Sequence, residues 1–200
     1  MPYNVHFKFL GQYMRKIREV GSIAPDSGAC VNGLLKSVKF KSAKVIIEFG
    51  SGSGAVTREI LRRKRPDAVL ICFEKNTAFY DHLRKTITGR NVFIILADVF
   101  DAAHVLASRF DISARSVDYI ISTLPCSFMR INELLIKAVC PLLNERGAFI
   151  QYMHVPSVLK GFRLRPILSK RFSRIESDIV FSNIPPVFIY TCRTGNAPII

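Results

Sequence analysis

Long apolar runs are missing from this chain of 200 residues. No stretch approaches the ~18–20 apolar residues that a membrane-crossing helix needs, so a transmembrane segment is not expected. The first residues, Met1-Pro2-Tyr3-Asn4-Val5-His6, lack a basic segment followed by an apolar one, which argues against export. Paired cysteines are missing too. Cys30, Cys72, Cys126, Cys140 and Cys192 form no C-x-x-C pair and are odd in number, so no disulfide frame and no metal site is indicated. Incidental thiols in a reducing cytoplasm are the simpler reading. Repeats and low-complexity tracts are absent. Acids are scarce: 15 against 29 lysines and arginines, a formal net charge of +14. A surplus of that size favours a polyanionic partner, either nucleic acid or an anionic bilayer.

What is present starts with a glycine cluster. The apolar run Val45-Ile46-Ile47 leads into Glu48-Phe49-Gly50-Ser51-Gly52-Ser53-Gly54, and a helix-like pattern follows from Ala55 to Arg63. A strand that ends at closely spaced glycines and turns into a helix brings bare backbone and unpaired N–H groups against a ligand. Gly50, Gly52 and Ala55 formally satisfy the dinucleotide fingerprint, so glycines alone do not choose the cofactor. Carboxylates make the choice. Glu48 precedes the glycines, where it would repel a pyrophosphate but welcome a cation. Glu74 closes the next apolar run, Ala68 to Phe73, and can accept both hydroxyls of a ribose. Asp98 follows a third run, Val92 to Leu96, and can take the exocyclic amine of an adenine. Three acids at the ends of three successive strands suit S-adenosylmethionine, which carries a sulfonium, an ammonium, a ribose and an adenine.

After Lys44 strands and helices alternate. Runs at 45–49, 69–73, 92–96 and 117–122 read as strands, with helical patterns near 55–64, 76–87 and 129–140. A fifth strand is expected at 147–153 after the turn Asn144-Glu145-Arg146. Two more, 174–181 and 187–192, flank Asn183-Ile184-Pro185-Pro186. This rhythm predicts a parallel α/β sheet covered on both faces, with a reversed last strand. Size allows one such domain, at 44–200, preceded by an N-terminal helical region at 1–43.

Within that N-terminal region Leu10, Tyr13, Met14, Ile17 and Val20 recur at helical spacing, with Lys8, Arg15, Lys16 and Arg18 on other faces. Such a basic amphipathic helix can lie in a bilayer interface or close over the body as a lid. A second helix is expected from about Ser27 to Val38. A later basic stretch, Lys160 to Arg174, interleaves Arg163, Arg165, Lys170 and Arg171 with Phe162, Leu164, Ile167, Leu168 and Phe172. That mixture suits a phospholipid surface, the apolar side chains entering the acyl boundary, or RNA with a phenylalanine stacked on bases.

With these residues in view the chain resembles the small bacterial phospholipid N-methyltransferases and, more distantly, the rRNA adenine dimethylases. The resemblance rests on Val20-Gly21-Ser22-Ile23-Ala24-Pro25, on Glu48 to Gly54 and on Asn183-Ile184-Pro185-Pro186. It implies a Rossmann-like class I methyltransferase fold, with a seven-stranded, mostly parallel sheet and one antiparallel strand. It implies S-adenosylmethionine as cofactor, held by Ser22, Ile23, Glu48, Gly50, Ser51, Gly52, Gly54, Glu74, Lys75, Asp98, Val99, Ser122 and Thr123. RNA adenine dimethylases carry Asn-Leu-Pro-Tyr after strand four, where this chain has Thr123-Leu124-Pro125-Cys126. The acceptor site is expected around Leu124 and Pro125, with Tyr152 or His154 taking a proton or facing the ammonium. Lys8, Arg15, Lys16, Arg18, Arg163 and Arg165 are expected to meet membrane phosphates. The implied activity is methylation of the amine of phosphatidylethanolamine and its methylated intermediates, by a monomer attached peripherally to a cytoplasmic membrane surface. The competing reading is rRNA adenine N6-methylation.

Overall fold

A computed structural model describes residues 28–124, 129–154, 164–183 and 186–194. Seven strands form one sheet: β1 (Val45–Phe49), β2 (Val69–Glu74), β3 (Val92–Leu96), β4 (Val117–Ser122), β5 (Leu143–His154), β6 (Arg174–Val180) and β7 (Val187–Arg193). Their order across the sheet is β3-β2-β1-β4-β5-β7-β6, and β7 alone runs antiparallel to its neighbours. The expected mostly parallel, seven-stranded sheet with a reversed last strand is therefore present. Helices α1 (Gly28–Leu35), α2 (Ala55–Arg63), α3 (Thr77–Thr86), α4 (Ala102–Phe110), α5 (Met129–Val139) and the short α6 (Arg165–Leu168) complete the described chain.

The central strands are apolar runs because both their faces are covered, as a parallel sheet requires. Alternation along each strand sends side chains to two cores. One holds Phe49, Phe73, Ile120, Phe149 and Met153. The other holds Ile46, Cys72, Ile121, Ile150 and Tyr152, with Cys30, Leu34 and Leu35 of α1 packed over them. Gly33 lets α1 come this close: a Cβ there would stand 2.7 Å from the Ile189 side chain and 2.8 Å from that of Val180. Phe49 and Phe73 meet edge to face with centroids 5.6 Å apart, and complete burial of a side chain of that size stabilises by roughly 1.5–3 kcal/mol.

Three expectations need correction. Helix α4 stands where no element is expected between β3 and β4, and Ala102, Val105 and Leu106 are its buried face at helical spacing. The turn at Asn144-Glu145-Arg146 sits inside β5 rather than before it. Val117 pairs with Leu143 but Tyr119 pairs with Ala148, so three extra residues loop out, and the Asn144 side-chain oxygen accepts the Arg146 N–H at 3.0 Å. The late basic stretch is not an acyl-facing surface over residues 164–174. Leu164, Ile167, Leu168 and Phe172 are all core residues, and Phe172 stacks on Phe149 at 6.0 Å. Their cationic and small polar neighbours remain outside, among them Arg165, Ser169, Lys170 and Arg171. The N-terminal amphipathic helix, with Lys8, Arg15, Lys16 and Arg18, lies outside the described residues, as do Ser22, Ile23, Pro125 and Arg163. No helix among the described residues is long and apolar enough to cross a membrane.

Candidate active site

Chain order reverses between β1 and β4, and in open α/β sheets the crevice beyond the strand ends at that switch is where ligands bind. The glycine loop stands there. Gly50, Gly52 and Gly54 have φ of +79°, +51° and +84°, which L side chains rarely adopt. Gly50 donates to the Phe73 carbonyl at 2.9 Å, and the Gly54 N–H closes a turn onto the Ser51 carbonyl at 2.8 Å. Gly54 then caps α2 with backbone alone. A Cβ on Gly52 would meet nothing nearer than the Gly50 carbonyl oxygen at 4.0 Å. The loop thus presents open backbone where a ligand can approach, while Ser51 is buried within it.

Glu48 is completely buried on the α2 side of the sheet. Its Oε2 accepts from the Thr57 hydroxyl at 2.6 Å and from the Cys72 thiol at 3.4 Å. Its Oε1 finds no partner among the described residues. Burial pushes its carboxyl up to about 6, against the lowering effect of the Thr57, Cys72 and Ser51 side chains. An orphaned oxygen on a buried carboxylate costs on the order of 1–3 kcal/mol or more, and a cation offsets that cost. The residues present therefore fit a cationic nucleoside ligand at this loop.

Glu74 reaches the same loop from β2. Its Oε2 accepts the Gly52 N–H at 2.9 Å and its Oε1 the Asn76 N–H at 2.8 Å. Each oxygen keeps a lone pair for a ligand hydroxyl. Asn76 goes on to cap α3, accepting from the Phe79 N–H at 3.2 Å. Asp98 accepts the Phe100 N–H at 3.2 Å, capping the 3₁₀ turn Val99–Asp101, and its other oxygen forms an ion pair with Lys75. Lys75 and Asp98 thus face each other across the ends of β2 and β3, and Val99 is buried beside them. Spacing alone did not foretell that pairing.

On the other side of the switch point, Ser122 ends β4 and is wholly buried, its hydroxyl accepting the Leu124 N–H at 3.4 Å. Thr123 donates its hydroxyl to the Gly50 carbonyl at 2.6 Å, binding the loop after β4 to the glycine loop. The Leu124 side chain lies against Gly50, where a Cβ would stand 2.8 Å from its Cδ2. Tyr152 is buried in the core that also covers Glu48, and His154 closes β5 opposite Val187. Two residues went unassigned. Thr57 supports Glu48 from α2, and no local pattern marks it. Gln151 is 1% exposed, and its Nε2 donates to the Leu124 carbonyl at 2.9 Å. The signal for Gln151 was a lone amide at the end of the apolar run Ala148-Phe149-Ile150.

This chain is 28% identical over 194 residues to the ornithine lipid N-methyltransferase of Singulisphaera acidiphila, covering 94% of this chain and 95% of that one. It is 31% identical over 121 residues to the ribosomal RNA small subunit methyltransferase A of Mycoplasma capricolum, covering 58% of this chain and 44% of that protein. No protein-family profile matches. Among solved structures, human methyltransferase-like protein 13 in complex with SAH superposes with a TM-score of 0.64 at 11% identity, covering 88% of this chain and 84% of that one. The fold is that of the class I methyltransferases. The likeness to a lipid N-methyltransferase, expected from the sequence, extends over nearly the full length of both chains.

Proposed function

We propose that this chain is an S-adenosylmethionine-dependent N-methyltransferase that acts on the amine of a membrane lipid, phosphatidylethanolamine or an aminoacyl lipid such as ornithine lipid. What carries the reading is its end-to-end similarity to a lipid N-methyltransferase, on a scaffold whose glycine loop encloses a buried, half-unpaired carboxylate. S-adenosylmethionine supplies an electrophilic methyl group: an N–C bond forms as the C–S bond breaks, and the sulfonium becomes a neutral thioether.

The chain's residues bind and align. Glu48 stands ready to meet the ligand's positive charge, Glu74 to take ribose hydroxyls, and the open backbone at Gly52 to let the ligand approach. Thr123 and Leu124 set the loop after β4 against the glycine loop, so that the acceptor nitrogen and the donor share one rim. Holding two reactants in line and in contact is the main contribution such a site makes to the rate. The acceptor must arrive as a free amine, its proton released to water. The net charge of +14 draws the protein to anionic lipid and concentrates it at its substrate.

Purified protein, labelled S-adenosylmethionine and vesicles carrying phosphatidylethanolamine or ornithine lipid, with and without anionic lipid, test this reading. Labelled lipid is expected, with more of it on anionic vesicles. No label in any lipid would end the proposal. The similarity to an rRNA methyltransferase sets the control: labelling of ribosomal RNA in place of lipid would replace this reading with adenine N6-methylation.

A further inference from the structure

Gln151 is paired in register with Ser122, where β5 passes the loop that follows β4. Its Nε2 donates both hydrogens, to the Leu124 carbonyl at 2.9 Å and to the Tyr152 carbonyl at 2.8 Å. Two acceptors flank one end of this amide, so that end must be the NH2 group. An oxygen there would face two carbonyl oxygens and lose both bonds. The orientation therefore fixes Oε1 at the other end, where it is buried and has no partner among the described residues. Every donor of the side chain is in use, and an acceptor alone remains. Buried acceptors almost always find a donor, so one left over beside the loop that follows β4 calls for a donor that comes with the ligand. The groups around it reinforce this. The Thr123 hydroxyl is already committed to the Gly50 carbonyl at 2.6 Å.

We infer that Gln151 is a specificity-determining residue of the acceptor site: its Oε1 accepts an N–H from the amine to be methylated. Its NH2 group meanwhile holds the Leu124 carbonyl in place. The inference rests on the lipid-amine reading above. Its consequence is a chemical preference. A nitrogen that still carries N–H bonds gains this contact, whereas a quaternary trimethylammonium group has no hydrogen to donate and gains nothing. The site so built holds unfinished acceptors and lets the fully methylated product go.

The test is binding to micelles of a primary-amine lipid and of its N-trimethyl counterpart, with adenosylhomocysteine calorimetry on the same samples. The wild-type protein is expected to bind the amine lipid about tenfold tighter than the quaternary one, a difference of about 1.4 kcal/mol. Gln151→Met fills the same space without an amide and is expected to lose that preference while binding adenosylhomocysteine within about twofold of wild type. Gln151→Glu keeps an acceptor but loses both donors to carbonyls, and is expected to retain the preference. A role confined to pinning Leu124 makes the opposite forecast, with Glu as damaging as Met. The inference falls if the wild type shows no preference, if Met retains it, or if Glu and Met behave alike. A wild-type protein that methylates no lipid amine at all refutes instead the reading on which it rests.

Discussion

Replacement of Glu48 by Gln tests the centre of the site without touching its shape. In the folded protein burial pushes this carboxyl up to about 6, against an ordinary 4.5, because it penalises the charge more than the side chains of Thr57, Cys72 and Ser51 favour it. A difference of 1.5 units corresponds to about 2 kcal/mol. The folded state holds the proton more tightly than the unfolded state. The group's stabilising contribution is therefore present in full below pH 4.5 and is lost as pH rises through about 6. Urea unfolding of the ligand-free wild type should thus show a component of about 2 kcal/mol that declines between those pH values, and Glu48→Gln should lack it. Ligand binding should run the other way. A cationic ligand prefers the carboxylate, so the wild type should bind adenosylhomocysteine, through its ammonium, about tenfold more weakly at pH 5 than at pH 7.5. Glu48→Gln should bind weakly at both. Parallel stability profiles for the two proteins, together with wild-type affinity in the variant, would refute the reasoning, because the orphaned oxygen would then face no ligand charge.

Three further substitutions probe the rest of the rim and the core. Glu74→Ala should weaken adenosylhomocysteine binding by ~1–3 kcal/mol, since it strips the ribose partner and frees the Gly52 and Asn76 N–H groups; unchanged calorimetry would show that Glu74 serves only the loop. Gly50→Ala imposes a Cβ at φ +79° and 2.8 Å from Leu124, and should cost ~1–3 kcal/mol in thermal or urea unfolding, whereas an unaltered midpoint would contradict the packing of the two loops. Phe172→Ala removes the ring stacked on Phe149 and should destabilise by ~3–5 kcal/mol. Weaker vesicle binding without loss of stability would instead restore the acyl-facing role that burial denies it.

The elements most legible in the sequence are those whose cause is local. Gly50, Gly52 and Gly54 need a backbone that other residues resist, so their spacing alone announced the loop and the strand and helix on either side of it. Val69 to Phe73 and Val117 to Ile121 are continuous apolar runs because a central parallel strand is covered on both faces, and they were read at nearly their observed bounds. Glu48, Glu74 and Asp98 follow from the same pattern, falling one residue before the end of β1, at the end of β2 and two residues beyond β3. Burial, in contrast, is a property of the assembled sheet. Leu164, Ile167, Leu168 and Phe172 have the composition of a lipid-facing stretch, and only the packing of α6 beneath α5 and β5 turns them inward. The contacts of Gln151 with Leu124 and of Lys75 with Asp98 join residues 27 and 23 positions apart. Strand register and loop closure create those contacts, and no window of sequence contains them. Composition and local spacing thus determined the elements and the kind of ligand they suit. The tertiary structure decided which polar atoms are left without partners, because hydrogen bonds are completed or denied only when distant segments meet.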